Sequence, residues 1–354
     1  MNKILLLTSC LMLFSCSTSS TQETTQTPDE VEIENTSQEW SIPISEVLDG
    51  GPGRDGIPAL ENPPFLAAEN VYPILFDEDL VLGYKNGNDT RAYPHIILDW
   101  HEIINDNIGD VSLAITYCPL TGTGIGWNRV IDGNETTFGV SGLLYQTNLV
   151  PFDRATKSNW SQILNESVNG SLSGEKADLI QLVETDWATW RAMFPTTKVV
   201  SLETDFDRTY GVYPYSSYKT NNDFFLFPTP KDNRLPLKER VHAIIDNDKA
   251  KAYRFSNFDD NNVFKDTFNG KDYLIVGNSK VIVSFKLDTT QNTSNFEFIY
   301  NGSGEAFVQD DNGNQWNIFG ELVVGSGNAL KASSSFMGYW FSIPAFYETE
   351  VYGE

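Results

Sequence analysis

The sequence predicts an α+β fold, predominantly β, made of two related β-rich halves with few short helices. Three observations carry this expectation. Short runs rich in Val, Ile, Tyr, Phe and Thr recur along the chain and are broken by Gly, Asn, Asp and Pro. One segment alone has clear helical spacing, TDWATWRAMF at 185–194. The second half repeats the first in degraded form, at an offset that shrinks from roughly 160 to roughly 150 residues, as a few deletions from an internal duplication would produce.

The chain starts with an address. Residues 1–15 (MNKILLLTSCLMLFS) read as a lipoprotein signal peptide: Lys3 is the positive end, and the apolar stretch 4–14 is too short to span a bilayer as a helix. LFSC at 13–16 resembles a bacterial lipobox, which makes Cys16 the expected lipidation site. LTSC at 7–10 also fits, but leaves a very short apolar stretch. Lipid on Cys16 would hold the protein to a membrane without a spanning helix. Ser17 is not the aspartate associated with inner-membrane retention. The expected location is therefore the outer membrane, facing the periplasm or the cell surface. Residues 16–38 are rich in Ser, Thr, Gln and Glu and read as a disordered tether.

The domain follows as a first half, 39–205, and a second, degenerate half, 206–354, packed on it. Order begins at 39–53, where Trp40 and Ile42 can pack, and 54–65 is a Pro/Gly-rich ordered loop. Residues 80–93 read as a hairpin turning at Asn86-Gly87-Asn88-Asp89. The run 96–104 (IILDWHEII) fits either a short helix or a strand. The stretch 111–123 (VSLAITYCPLTGT) is the central strand, stopped by Pro119 and followed by a Thr/Gly loop. Strands are expected at 125–131 and 136–140, with a turn at 132–134. The helix at 185–194 takes Thr185 or Asp186 as its cap, puts Trp187, Trp190 and Phe194 on one face and ends at Pro195. Later strands are expected at 199–200, 243–245, 273–276, 280–286, 296–300 and 316–324.

The repeat pairs 81–93 with 241–253, Asp110 with Asp272, and 136–138 with 294–296. It also pairs Asp153 and Trp160 with Asp310 or Asp311 and Trp316. Trp190, Phe194 and Val199 match Trp340, Phe346 and Val351. Features in both halves are structural by this reasoning. Cys118 with its Thr/Gly loop, and His101-Glu102, occur in one half only and are the better functional candidates.

Composition narrows the partners. Against 24 Lys+Arg stand 48 Asp+Glu in 354 residues, a net charge of -24, which repels phosphate backbones and argues against nucleic acid. The cysteines are Cys10, Cys16 and Cys118. With one thiol in the domain, an internal disulfide and an all-cysteine zinc site are both excluded.

Cys118 is the sharpest candidate, because a thiol at the mouth of a buried strand can serve as a nucleophile when a base lowers its pKa. His101 and Glu102 are the candidate base and orienting or acid/base group. Thr121 and Thr123, in the Thr/Gly loop, would bind ligand. Tyr145, Asn148, Asp153 and Arg154 offer further donors and acceptors in an expected loop region. The bland alternatives are a buried structural cysteine and side chains that satisfy the backbone. A copper or zinc site would have to draw on His95, His101, His242 and Cys118, which lack close HxxH or HxxxH spacing; no metal or cofactor is predicted. No GxGxxG, P-loop, GxSxG or HExxH motif occurs. Three readings result: thiol-dependent chemistry on an unknown small substrate, a non-catalytic module for a polar ligand such as a glycan or peptide, or a His/Cys metal-binding lipoprotein.

The strings DGIPAL, AYPHIILDWHEIIND, ITYCPLTGTGIGWNR, TFGVSGLLYQTNLVPFDRATKSNWSQ and YWFSIPAFYETEVY, in that order, resemble a bacterial domain family of unknown function, DUF3179. The resemblance runs from 55 to 200 and, more loosely, through the last thirty residues. It implies no activity and no catalytic residues. Many members carry CPLC where this chain reads CPLT, so Thr121 departs from the pattern and weakens a CxxC redox or metal role here.

Overall fold

The computed structural model describes residues 39–71, 75–259 and 261–353. The expected signal peptide, Cys16 and the tether lie outside the described residues. The ordered chain opens with three short strands, β1 (Val47–Asp49), β2 (Leu60–Glu61) and β3 (Phe65–Ala67). The alternating LVLGYK and TRAYP runs form the expected hairpin, β4 (Leu80–Asn86) and β5 (Asp89–Pro94), with Gly87 at φ 57 in its turn. Next come α1 (His95–His101), β6 (Ile103–Ile108), β7 (Val111–Cys118), β8 (Thr123–Asn128), and the small hairpin β9 (Val130–Ile131) with β10 (Asn134–Glu135). A meander follows, β11 (Phe138–Tyr145), β12 (Asn148–Asp153), β13 (Asn159–Ser161) and β14 (Glu166–Asn169). The half closes with β15 (Leu179–Ile180), β16 (Val183–Asp186), α2 (Trp187–Met193) and β17 (Lys198–Val200).

Residues 201–239 cross to the second half with one 3-10 turn, Tyr218–Thr220, as their regular structure. Beyond lie β18 (Arg240–Asp246), β19 (Lys249–Arg254), β20 (Asn262–Phe268), β21 (Lys271–Gly277) and β22 (Ile282–Lys286). The last strands are β23 (Phe296–Phe298), β24 (Val308–Asp310), β25 (Gln315–Trp316), β26 (Leu322–Val324), β27 (Lys331–Ala332), β28 (Ser335–Tyr339) and β29 (Glu348–Val351).

The sheet orders recur between the halves. The sheet β16-β4-β5-β17-β3, with β17 parallel to β5, has as its counterpart β28-β18-β19-β29, with β29 parallel to β19. The orders β15-β8-β7-β6-β2 and β27-β22-β21-β20 answer each other, as do β11-β12-β13-β14 and β23-β24-β25-β26. Several residue matches hold at the level of register. Phe138 faces Asp153 as Phe296 faces Asp310, and Val199 faces Ala92 as Val351 faces Ala252. Asp110 is the exception: it lies directly before β7, the position Gly270 holds before β21, so its match to Asp272 is out of step. One core serves both halves, joining Trp127, Phe138, Trp160 and Tyr218 to Val241, Phe336 and Trp340.

Four local expectations change. The ambiguous run 96–104 is both elements, a helix to His101 and a strand from Ile103, with Glu102 at φ 56 as the corner. Residues 144–148 are not a loop: β11 and β12 are joined by a two-residue turn, Gln146 (φ 50) and Thr147 (φ 68), which sequence disguises because it lacks the usual Asn-Gly. Residues 316–324 are two short strands around Gly320 (φ 77). The expected strand 125–131 starts at Thr123, stops at Asn128 and resumes as β9 after Arg129, whose buried guanidinium donates to the carbonyls of Leu113, Thr136 and Asp106. The helix α2 is capped by Asp186, which accepts from Thr189 N at 2.9 Å.

Candidate functional site

The site grows out of β7. Between β6 and β8, this strand is covered on both faces, so its residues from Leu113 to Cys118 are all buried, as a continuous apolar run requires. It ends in a tight turn in which Gly122 N donates to Cys118 O at 2.8 Å. Gly122 has φ 63, and a Cβ there would meet the Tyr339 ring at 3.0 Å, so both conformation and space demand glycine.

Cys118 is 2% exposed, and its thiol points to the carbonyl oxygen of Thr147 at 3.7 Å. Burial, and then the charge of Glu102, push the thiol up to about 11. His101 does not sit beside it. Its Nδ1 is 2.7 Å from Pro58 O and its Nε2 is 2.5 Å from the Tyr210 hydroxyl, and burial lowers its pKa. The expected His101–Cys118 pair is therefore not formed: helix α1 turns the ring away from the strand end, and both nitrogens are taken.

Thr121, Thr123 and Asn148 do converge, in a buried network. Asn148 Nδ2 donates to Thr121 Oγ1 at 2.9 Å and to Gln162 Oε1 at 2.8 Å, and Thr123 Oγ1 donates to Gln162 Oε1 at 2.7 Å. Gln162 Nε2 reaches Thr116 Oγ1 at 3.0 Å. These bonds saturate one another and tie the β11–β12 sheet to the β7–β8 sheet. Asp153 is buried and accepts from Thr156 N and Oγ1, both at 2.6 Å, and from Trp160 Nε1 at 3.1 Å. Arg154 pairs with Asp55 at 2.7 Å and Glu61 at 2.5 Å. Tyr145 packs edge-on against Phe346, with ring centroids 5.4 Å apart. Asp153, Arg154 and Tyr145 thus keep company with their own neighbours, and none of their contacts runs to Cys118.

What does surround Cys118 is a cluster the sequence conceals. Glu102 is buried and accepts from the Tyr215 hydroxyl at 3.2 Å; burial raises its carboxyl to about 7. Asp99, one helical turn earlier, is 6% exposed and raised to about 6, chiefly by burial. The charge of Asp99 adds to the cost of ionising Glu102. The crossover 201–239 lies over them: Tyr213 donates to Pro119 O at 3.0 Å, and Tyr218 is fully buried. Tyr339 enters from β28 and Tyr117 from β7, and both feel the charge of Asp99. Among the described residues, the fully buried hydroxyl of Tyr218 has no hydrogen-bond partner. The signals available were the i, i+3 spacing of Asp99 and Glu102 and the tyrosines of YGVYPYSSY at 210–218.

The histidines are scattered. His95 Nε2 lies 3.1 Å from Glu184, which also pairs with Arg240, and burial brings His95 down to about 3. His242 Nε2 is 2.7 Å from Ser284 Oγ and is likewise held near 3 by burial. Among the described residues, no group of three or more His, Cys, Asp or Glu is placed to hold a metal ion.

No curated protein and no solved structure matches the chain. Residues 54–350 match the family described as "Protein of unknown function (DUF3179)", a span that takes in the β7 turn, the crossover and both halves. The chain therefore belongs to the DUF3179 family.

Proposed function

We propose that the protein is a lipid-anchored extracytoplasmic binding protein of the outer membrane, which holds a polar ligand in the cluster beside Cys118. The observation that carries this reading is the buried, unpartnered hydroxyl of Tyr218 in that cluster. The Tyr218 hydroxyl is fully buried and has no hydrogen-bond partner among the described residues, and Asp99, Tyr117 and Tyr339, each nine-tenths buried or more, belong to the same cluster. Buried polar groups are normally satisfied, and one left open among other polar side chains suits a ligand's donor or acceptor. The anchor rests on Lys3, the apolar stretch 4–14 and LFSC at 13–16. Among the described residues no helix is long and apolar enough to cross a membrane.

Thiol chemistry is the weaker reading. A group titrating near 11, without an imidazole beside it, supplies almost no thiolate at neutral pH. Two experiments test the proposal. Metabolic labelling with a radioactive fatty acid should mark the wild-type chain and not Cys16→Ser; label on both would move the site to Cys10, and label on neither would remove the lipobox reading. Native Cys118 should resist iodoacetamide at pH 7.5, and ligand-induced thermal stabilisation should survive Cys118→Ser. Rapid alkylation, together with a turnover that Cys118→Ala abolishes, would replace the binding reading with the enzymatic one.

A further inference from the structure

The cluster beside Cys118 has a chemical bias that narrows its ligand. Two carboxyls, Asp99 and Glu102, lie in it, one helical turn apart, and the charge of Asp99 raises the cost of ionising Glu102. Tyr117, Tyr213, Tyr215 and Tyr339 surround the pair, and the Tyr213 and Tyr215 rings meet edge to face at 5.5 Å. Carboxyls crowded among aromatic faces attract a soft cation and oppose an anion. The Arg240 guanidinium, whose charge reaches Tyr117 and Tyr339, is paired with Glu184.

Two further observations point the same way. The chain brings an ammonium of its own to the rim: Lys219 Nζ lies 4.5 Å over the Tyr213 ring, close enough to stabilise the Asp99 carboxylate. Lys219 is exposed, so a ligand can displace it. The second is Tyr218. Its ring already carries a buried ammonium, Lys238 Nζ at 3.5 Å, which also donates to the carbonyls of Tyr218, Asn221 and Phe224. Its hydroxyl lies at the other end, fully buried, without a partner, and close to Cys118 and Tyr339. A buried lone pair left open beside Cys118 and Tyr339, in the same cluster as the two carboxyls, is a receptor for a donor that the protein itself does not provide.

Building on the binding reading above, we infer that the ligand is a small organic ammonium cation. Its charge lies between the carboxyls of Asp99 and Glu102, and its carbon body rests on the rings of Tyr213, Tyr215 and Tyr339. Entry is beside Lys219, where the half-buried Tyr213 and Tyr215 reach solvent. Lys219 acts as an internal competitor for the same aromatic face.

The test uses the full chain in detergent, with choline and ethanolamine as probes and 3,3-dimethylbutan-1-ol as the uncharged isostere of choline. Isothermal titration should show choline or ethanolamine binding at least about tenfold more tightly than the isostere, the scale of a desolvated cation–aromatic contact. Asp99→Asn and Glu102→Gln should each weaken that binding about tenfold while thermal unfolding stays cooperative. Lys219→Gln, at an exposed position that folding does not need, should tighten it. Equal affinity for choline and the isostere, or weakening by Lys219→Gln, overturns the ammonium assignment and leaves the binding reading standing. If the ammonium probes, the isostere and a panel of neutral sugars all fail to shift the melting temperature, both fall.

Discussion

The hydroxyl of Tyr215 donates to Glu102 at 3.2 Å, and this bond fastens the crossover between the halves to the corner where α1 becomes β6. Glu102 stands at φ 56, a backbone conformation that a non-glycine residue adopts at some cost. Its carboxyl is therefore held by a strained corner on one side and by a loop from the other half on the other. The position of that loop decides how wet the carboxyl is.

Stability should fall with rising pH because of this carboxyl. Its folded pKa is raised from 4.5 to about 7, so the folded state keeps the proton longer than the unfolded chain does. The penalty is absent below about pH 4, grows between pH 4.5 and 7, and is constant above. Glu102→Gln preserves an acceptor for Tyr215 and removes the ionisation. Urea melts should show it more stable than wild type by up to about 3 kcal/mol at pH 8, and no different at pH 4. A variant that is less stable at pH 8 would mean the carboxyl is not desolvated.

The acid limb has a different cause. His95 and His242 are lowered from 6.5 to about 3 by burial, so below pH 6.5 the unfolded chain takes up protons that the folded state refuses. Stability should decline from pH 6.5 towards pH 3. Replacing His242 by Gln, which can still meet Ser284, should flatten that decline by roughly 1 kcal/mol or more. An unchanged slope would show that His242 already titrates near its ordinary value.

Thr123→Val is close to isosteric but removes a hydroxyl that bonds to Thr121, Asn148 and Gln162. The amides it leaves behind are buried. Chemical denaturation should show a loss of about 1–3 kcal/mol, the cost of orphaned polar groups. The double variant Thr123→Val with Gln162→Leu should lose more still, because it also takes away the acceptor of Asn148 and the donor to Thr116.

Gly83→Ala probes the seat of α2 on its sheet. A Cβ at residue 83 would lie 2.1 Å from Trp190 Cζ3, and the ring belongs to a fully buried side chain. Overpacking should cost about 3 kcal/mol, read as a fall in melting temperature. A neutral result would mean that the Trp190 ring can move aside.

Much of the scaffold could be read from residue order. The hairpin at 80–94 follows from alternation and a Gly turn. The helix at 187–193 follows from its apolar face and the Asp186 cap, and the β-rich character follows from short branched runs. Local chemistry decides these elements, so a linear reading finds them. The β11–β12 hairpin was hidden, because Gln146 and Thr147 rarely adopt positive φ, and contacts with other segments hold them there.

The candidate site was only half legible. Cys118 and the Thr121–Thr123 loop emerge from one strand and its turn, and Asn148 joins them. The His101 partnership did not materialise, since one helical turn decides where an imidazole points.

By itself, then, the sequence determined the β-rich class, the single thiol at the end of β7, and the acidic surface, because these depend on composition and on neighbours a few residues apart. Only the tertiary structure decided that Tyr213 and Tyr215 from the crossover, and Tyr339 from the far half, close around Asp99 and Glu102. Those groups lie more than a hundred residues from their partners. What brings them together is the burial of a core shared by both halves, which no local spacing encodes.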